Sequence, residues 1–306
     1  MVWIIVISVF VFITLLGLVI FSWRNAKRSI KPTVIETGRE IEWNKNKGLW
    51  LDFDSCNKTE YEVEGKDGYI LHVMCADTSD TRGTGRYVII CHGHTSSRFG
   101  AVKYANSYLK LGFTCIMYDA RCHGSNAPDI CTLGNIESYD LAKVIADTRK
   151  RFTDLKVLGL HGESMGSSTV LIETSMDPPV DFIVADCGFT SCFDVIHEGY
   201  GNIHLGFLAH PVNLAGKILY KVDLKKTCAL KALENNHYPV LFIHGAGDTF
   251  IKPHHSKKMY EAARKSGAHC ELILVEGAGH ASSRLVAGFD AYTGYIGKFL
   301  KDIGIL

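Results

Sequence analysis

The sequence has no excess of either charge, no internal repeat and no low-complexity tract. Its 306 residues include 33 lysines and arginines against 32 aspartates and glutamates, a formal net charge of +1 at pH 7. Because nucleic acids and strongly acidic partners select for a basic surface, this balance indicates neither kind of partner. The chain is 47 % apolar, and its length suits one large α/β domain or two small ones.

Paired cysteine spacings are missing as well. The ten cysteines are irregularly spaced from Cys56 to Cys270, and several lie inside strand-like apolar runs, as reduced and buried thiols do. Two groups lack the spacing of a zinc signature or of a His-Glu-x-x-His helix: Cys91, His92 and His94, and Cys122 and His123. We therefore expect no disulfide framework, a reducing compartment, no metal and no cofactor.

One long apolar run is present, from Val2 to Phe21. At ~1.5 Å per residue it spans the ~30 Å hydrocarbon layer of a bilayer. No basic residue precedes the run, it is too long for a signal peptide, and no small-x-small cleavage site follows it. Trp3 and Trp23 lie at its edges, and four basic residues follow: Arg24, Lys27, Arg28 and Lys31. This pattern predicts a single-pass anchor in the cell membrane with the rest of the chain in the cytoplasm.

The remaining sequence predicts an α/β domain. Thr59–Glu64 and Tyr69–Ala76 form a predicted antiparallel hairpin, and apolar strands then alternate with helical stretches, as in a parallel sheet covered on both faces. The predicted parallel strands are Tyr87–Cys91, Thr114–Tyr118, Val157–Leu160, Phe182–Ala185, Val240–Ile243 and Leu272–Val275. We expect a mostly parallel eight-stranded sheet with helices on both faces.

The predicted organisation has three parts. Residues 1–28 are a transmembrane anchor with a basic juxtamembrane segment, 29–58 a linker or stalk, and 59–306 the α/β domain. For 29–58 a second alternative stays open, a segment packed against the domain. The interval 189–238 is too long for a crossover connection, so it predicts a cap insertion. Its apolar side chains either line an acyl pocket or pack the cap onto the sheet: Phe193, Tyr200, Leu205, Phe207, Leu208, Leu214 and Tyr220.

A Gly-x-Ser-x-Gly motif around Ser164 follows the strand Val157–Leu160 and opens a helical stretch. A serine at such a turn adopts a strained conformation that exposes its Oγ at the carboxyl end of the sheet. The new helix directs its free N–H groups at the same place, which suits a developing oxyanion. Ser164 is therefore the predicted nucleophile.

A serine nucleophile needs a base and an acid that orients the base. Two predicted parallel strands run into glycine-rich turns that end in Asp248 and in His280, at the same sheet edge as Ser164. Taken singly, Asp248 is equally explained as a cap of the helix near Pro253, and His280 as a loop residue. Taken together, their placement and the order Ser, Asp, His predict a catalytic triad.

An acyl-transfer site also needs two N–H donors for the oxyanion. One comes from the residue after the nucleophile, Met165, and the other from the loop after the strand Tyr87–Cys91. In that loop Gly93 allows the backbone to fold toward the nucleophile, which makes the amide of His94 the predicted second donor.

Six segments together resemble the α/β-hydrolase superfamily, and within it the membrane-anchored bacterial hydrolases akin to serine-aminopeptidase-like and monoacylglycerol-lipase-like esterases. They are residues 92–97, 118–125, 162–166, 186–188, 243–248 and 276–281. The resemblance implies the α/β-hydrolase fold, the triad Ser164, Asp248 and His280, and oxyanion donors at His94 and Met165. It also implies that Asp119 and Arg121 brace the loops below the oxyanion site.

The expected function is hydrolysis of an acyl bond, first of all a carboxylic ester, through an acyl-serine intermediate. The expected substrate is a small acyl compound, lipid-like if the anchor serves to concentrate it at the bilayer. Two alternatives stay open: a thioesterase or amide and peptide hydrolase with the same triad, and a catalytically idle membrane-bound binding module.

Overall fold

A mostly parallel eight-stranded sheet forms the centre of the computed structural model, which describes residues 1–306. The strands are β1 (Asn57–Glu64), β2 (Ile70–Asp77), β3 (Arg86–Cys91), β4 (Thr114–Tyr118), β5 (Val157–Glu163), β6 (Phe182–Asp186), β7 (Val240–Gly245) and β8 (Cys270–Val275). Their spatial order is β1-β2-β4-β3-β5-β6-β7-β8. The β1–β2 and β2–β4 pairs are antiparallel and all others parallel, which confirms the predicted fold class.

Helices cover both faces of the sheet. They are α1 (Val2–Ile30), α2 (Thr37–Asn46), α3 (Val102–Lys110), α4 (Asn135–Arg151), α5 (Met165–Glu173), α6 (Cys192–Gly201), α7 (Ala209–Tyr220), α8 (Ala229–Ala232), α9 (His254–Lys265), α10 (Ser283–Ala287) and α11 (Phe289–Asp302). Ile89 of β3 belongs to the core shared with α4, α5 and α9, whereas the next residue, Ile90, belongs to the core shared with α3 and α11. Both side chains are fully buried, which explains why the strands are continuous apolar runs.

The interval expected to form the cap lies between β6 and β7 and contains α6, α7 and α8. Ser191 is the N-cap residue of α6, and its hydroxyl accepts a hydrogen bond from the amide of Asp194. Such a side-chain cap satisfies one of the free N–H groups of the first turn.

Residues 29–58 are packed against the domain, which is the second of the two alternatives that the sequence leaves open. They include α2, whose Glu40 and Asn44 are buried. Leu49 and Phe53 are each only 1 % exposed, and Phe53 is part of the core on the α3 side of the sheet. The description of this segment as a stalk is therefore wrong, because several of its side chains are buried against the domain.

Helix α1 has two parts. Its 18-residue apolar window has a mean hydropathy of 3.2 and none of it is buried, so α1 is long and apolar enough to cross a membrane. Its last turns pack against α7, because Ser22, Ala26 and Ile30 recur every four residues on one face and are buried. The predicted boundary at residue 28 thus falls inside a helix whose end belongs to the domain.

Candidate active site

Ser164 lies in the sharp turn between β5 and α5. Its backbone has φ 53° and ψ −111°, a positive φ that non-glycine residues adopt only where the surrounding structure imposes it. No side chain fits at the two flanking glycines. A Cβ on Gly162 would collide with the backbone of Gly166, and a Cβ on Gly166 would collide with the carbonyl group of Cys91. The strand, the turn and the helix together hold the Ser164 hydroxyl at the sheet edge.

The three predicted triad residues meet at this edge. Ser164 Oγ lies 3.0 Å from Nε2 of His280, and Nδ1 of His280 lies 2.7 Å from Oδ2 of Asp248. Because a carboxylate can only accept, Nδ1 carries the proton and Nε2 is free to accept the serine proton. The arrangement can therefore deprotonate Ser164 as it attacks.

Asp248 is 3 % exposed and is held as an anion. Burial acts to raise the pKa of its carboxyl group, but hydrogen bonds with His244 and His280 outweigh burial and lower this pKa well below its usual range. Oδ1 also accepts the amides of Phe250 and Ile251, each at 2.9 Å. Asp248 does not cap α9, whose N-cap residue is Pro253.

Both predicted oxyanion donors are free. The backbone N–H groups of His94 and Met165 make no hydrogen bond within the chain. The loop after β3 passes directly beside the nucleophile, since a Cβ on Gly93 would lie 3.6 Å from Cβ of Ser164. Two unpaired donors next to a serine hydroxyl are what a tetrahedral oxyanion requires.

A segment that the sequence left undetermined supports this loop. We call residues 29–46 the strap. The strap contacts the loop at four points: Ser29 O with His94 Nε2 (3.1 Å), Ile35 N with Thr95 O (2.8 Å), Glu40 with the hydroxyls of Ser96 and Ser97, and Asn44 Nδ2 with Phe99 O (3.2 Å). The only sequence signal for it was the polar Glu40 and Asn44, on one face of a helix.

A buried ion pair lies behind the nucleophile. Glu163 immediately precedes Ser164 and contacts the Lys103 ammonium and the Tyr104 hydroxyl, both on α3. Burial acts to lower the pKa of Lys103, but the charge of Glu163 and its hydrogen bond to Lys103 together outweigh burial, and the pKa is raised. Lys103 Nζ also lies 3.5 Å from the carbonyl oxygen of Ala281, next to His280. A charged residue ending an apolar strand needs such a partner, and this was the signal available in the sequence.

Asp119 and Arg121 lie below the site and do not contact the triad. Asp119 is fully buried and accepts the amide of Arg98 at 2.7 Å and the amide of Ser125 at 2.8 Å, so it ties together two loops. Arg121 forms ion pairs with Asp140 at 2.8 Å and with Asp129 at 2.6 Å.

Two clusters have side chains of metal-ligand type within 4.8 Å of one another: His94, His123 and Cys131, and Glu198, His254 and His255. In the second, Nε2 of His254 is hydrogen-bonded to the Glu198 carboxyl group at 2.9 Å. In the first, His94 and His123 each hydrogen-bond a backbone carbonyl, of Ser29 and of Arg121.

The apolar cap residues were predicted either to line an acyl pocket or to pack the cap onto the sheet, and neither role describes all of them. The ring of Tyr200 contacts Phe21 of α1, at 5.4 Å between centroids. Phe207 and Leu214 are 62 % and 55 % exposed and face outward. An aromatic residue that the sequence pattern did not single out lies at the triad instead: Phe250, 69 % exposed, has its ring 5.0 Å from that of His280.

Comparison with known proteins decides the family. The family model of the prolyl oligopeptidase family matches residues 132–301, which is more than half of the chain and includes the three predicted triad positions. The chain belongs to the prolyl oligopeptidase family. This family membership agrees with the α/β-hydrolase resemblance found in the motifs.

Relatives and solved structures are similar over most of the chain. The uncharacterised protein YqkD of Bacillus subtilis is 28 % identical over 263 residues, 83 % of each chain. The esterase Pf2001 of Pyrococcus furiosus has a TM-score of 0.68 and 21 % identity, covering 90 % of this chain and 98 % of its own. The acylaminoacyl peptidase of Pyrococcus horikoshii has a TM-score of 0.63 and 12 % identity, covering 84 % of this chain and 46 % of its own. These structural similarities show a shared fold.

Proposed function

We propose that the protein is a membrane-anchored serine hydrolase that cleaves acyl bonds, with carboxylic esters as its first substrate class. The observation that carries this proposal is the hydrogen-bonded series Ser164, His280 and Asp248, at 3.0 and 2.7 Å. Its position beside two unpaired N–H groups gives every part that acyl transfer needs.

In the proposed reaction, Ser164 Oγ attacks the acyl carbonyl while His280 Nε2 takes its proton. The N–H groups of His94 and Met165 stabilise the oxyanion, and each such donor is worth about 10²–10³ in kcat. The imidazolium then protonates the leaving group, and an acyl-Ser164 ester remains. Water activated by His280 hydrolyses this ester and restores the free serine.

The ester proposal draws support from how much of each relative is covered. The similarity extends over 98 % of the esterase chain but over only 46 % of the acylaminoacyl peptidase. Membership in the prolyl oligopeptidase family favours a second candidate, hydrolysis of an aminoacyl or peptide amide with the same triad. Active-site labelling and a substrate panel also distinguish these two candidates from thioester hydrolysis and from a catalytically idle binding module.

We also propose that α1 anchors the protein in the cell membrane with the domain in the cytoplasm. The basic residues just after the apolar run support this orientation, as do the ten cysteines, none of which forms a disulfide. A reporter fused after Leu306 tests it. Alkaline phosphatase activity of that fusion in intact cells would contradict the orientation.

Active-site labelling tests the enzymatic proposal. A fluorophosphonate probe should label the wild type and Ser175→Ala, which changes an exposed serine, but not Ser164→Ala. An unlabelled wild type would point to a binding module. Matched p-nitrophenyl esters, acyl-CoA thioesters and aminoacyl anilides then rank the substrate classes by kcat/KM, and a higher value for anilides than for esters would replace our first substrate class.

A further inference from the structure

The loop between α6 and α7, residues 202–208, exposes large apolar side chains. Ile203 is 63 % exposed, Leu205 37 % and Phe207 62 %. A single exposed apolar residue is ordinary, but three within five positions of one loop form an apolar patch whose exposure to water is unfavourable.

The position of this loop relative to α1 follows from three contacts. The ring of Phe21 lies 5.4 Å from that of Tyr200, which is in the last turn of α6. Farther along α1, Ile30 Cδ1 would be 3.4 Å from a Cβ on Gly216, in α7. Lys31, which directly follows α1, has its Nζ 6.0 Å from the ring of Tyr220, at the end of α7. Helices α1 and α7 therefore run side by side in the same direction, and the loop that precedes α7 lies at the level of Phe21.

The level of Phe21 is where the apolar run of α1 ends. Trp23 follows it, and Arg24, Lys27 and Arg28 occupy the next two turns. Tryptophan prefers the boundary between hydrocarbon and headgroups, and basic side chains beyond it attract anionic headgroups. For an anchored α1, the loop 202–208 is thus at the bilayer surface.

We propose that the loop 202–208 inserts Ile203, Leu205 and Phe207 into the bilayer surface as a second membrane contact. This inference rests on the proposed anchoring by α1. A single helix would leave the domain free to tilt relative to the bilayer. A second contact in the loop between α6 and α7 restricts this tilt and holds the cap side of the domain against the membrane.

The test uses the full chain in vesicles of phosphatidylcholine and phosphatidylglycerol. Three single variants place a cysteine at the loop, at a matched exposed site and in the anchor: Phe207→Cys, Ile218→Cys and Phe12→Cys. Ile218 is 59 % exposed and lies on α7 roughly 16 Å farther from the membrane level than Phe207. A positively charged, membrane-impermeant thiol reagent is applied, and mass spectrometry of the peptides gives the rate at each site separately from the ten native cysteines.

We expect the cysteines at 207 and 12 to react at least about tenfold more slowly than the one at 218, because a charged reagent is excluded from the apolar layer. All three should react equally after denaturation. A fast reaction at 207 with protection at 12 would overturn the second contact while leaving the anchor intact. A fast reaction at 12 would overturn the anchor, and the inference with it. Protection at 207 accompanied by a 207–207 disulfide on mild oxidation would assign the patch to a second copy of the chain and also overturn the inference.

Discussion

Removal of the Glu40 carboxylate tests whether the strap positions the oxyanion loop. Glu40 is 7 % exposed and accepts hydrogen bonds from the hydroxyls of Ser96 and Ser97, two and three residues after the predicted donor His94. Glu40→Ala removes both bonds. A hydrogen bond to a charged group contributes about 1.5–3 kcal/mol, so the two lost bonds remove about 3–6 kcal/mol of free energy that stabilises the loop conformation.

The effect on catalysis has an upper limit. The other contacts of the strap remain, and Met165 belongs to α5, which Glu40 does not touch. The loss therefore cannot exceed the value of one oxyanion donor, about 10²–10³ in kcat. We expect kcat for a soluble ester to fall at least about tenfold and KM to change little, because the oxyanion forms only on the way to the intermediate.

The assay measures kcat and KM with p-nitrophenyl butyrate at a temperature well below the melting temperature of each variant. Glu36→Ala is the matched control, since Glu36 precedes the same helix but is exposed and pairs only with Arg39, at 3.6 Å. Glu40→Gln, which keeps one acceptor oxygen, should fall between the two. A folded Glu40→Ala variant with the kcat of the wild type would refute a positioning role for the strap.

Three further predictions concern the triad, a buried carboxyl group and the anchor. Asp248→Asn should lower kcat by about 10⁴ in ester kinetics, because the imidazole loses its orienting acceptor, whereas Asp119→Asn should cost far less; the reverse ranking would contradict the choice of acid. Burial raises the pKa of Glu173 from 4.5 to about 8, so between these values only the unfolded state is ionised and the wild type loses up to about 1.4 kcal/mol of stability per pH unit. In urea unfolding, Glu173→Gln should therefore be more stable than the wild type at pH 8 but not at pH 4.5, and equal differences at both would count against this account. Deletion of residues 1–21 should preserve kcat/KM for a soluble ester and deletion of residues 1–46 should abolish it; equal activity of the two truncations would show that the strap is dispensable.

The parts of the fold set by local pattern were predictable. The predicted strand Thr114–Tyr118 has the bounds of β4, and the others differ from the structure by a few residues at their ends. The reason is that both faces of the sheet are covered, so each buried strand is an apolar run bounded by polar or glycine-rich turns. The positions of Asp248 and His280 were predictable for the same reason, because residues that follow parallel strands lie at one edge of the sheet.

The parts set by contacts distant in sequence were not predictable. Glu40 is 56 residues away from Ser96, and its short mixed-charge helix has no apolar stripe that would indicate burial. Tyr200 resembles a pocket-lining aromatic in the sequence, but its ring packs on Phe21, about 180 residues earlier. Such contacts depend on how the elements pack in the folded domain. The hydrophobic periodicity within one element does not indicate which distant residue it will contact.

The packing of α1 on α7 also constrains how the protein folds during synthesis. Ile30 packs beside Gly216, which the ribosome adds 186 residues later. At about 5–20 residues per second, the last turns of α1 wait about 10–40 s for this partner. The apolar segment of α1 is therefore made before most of the sheet exists. With α1 anchored as proposed, the domain completes its folding while its amino-terminal helix is already held at the membrane.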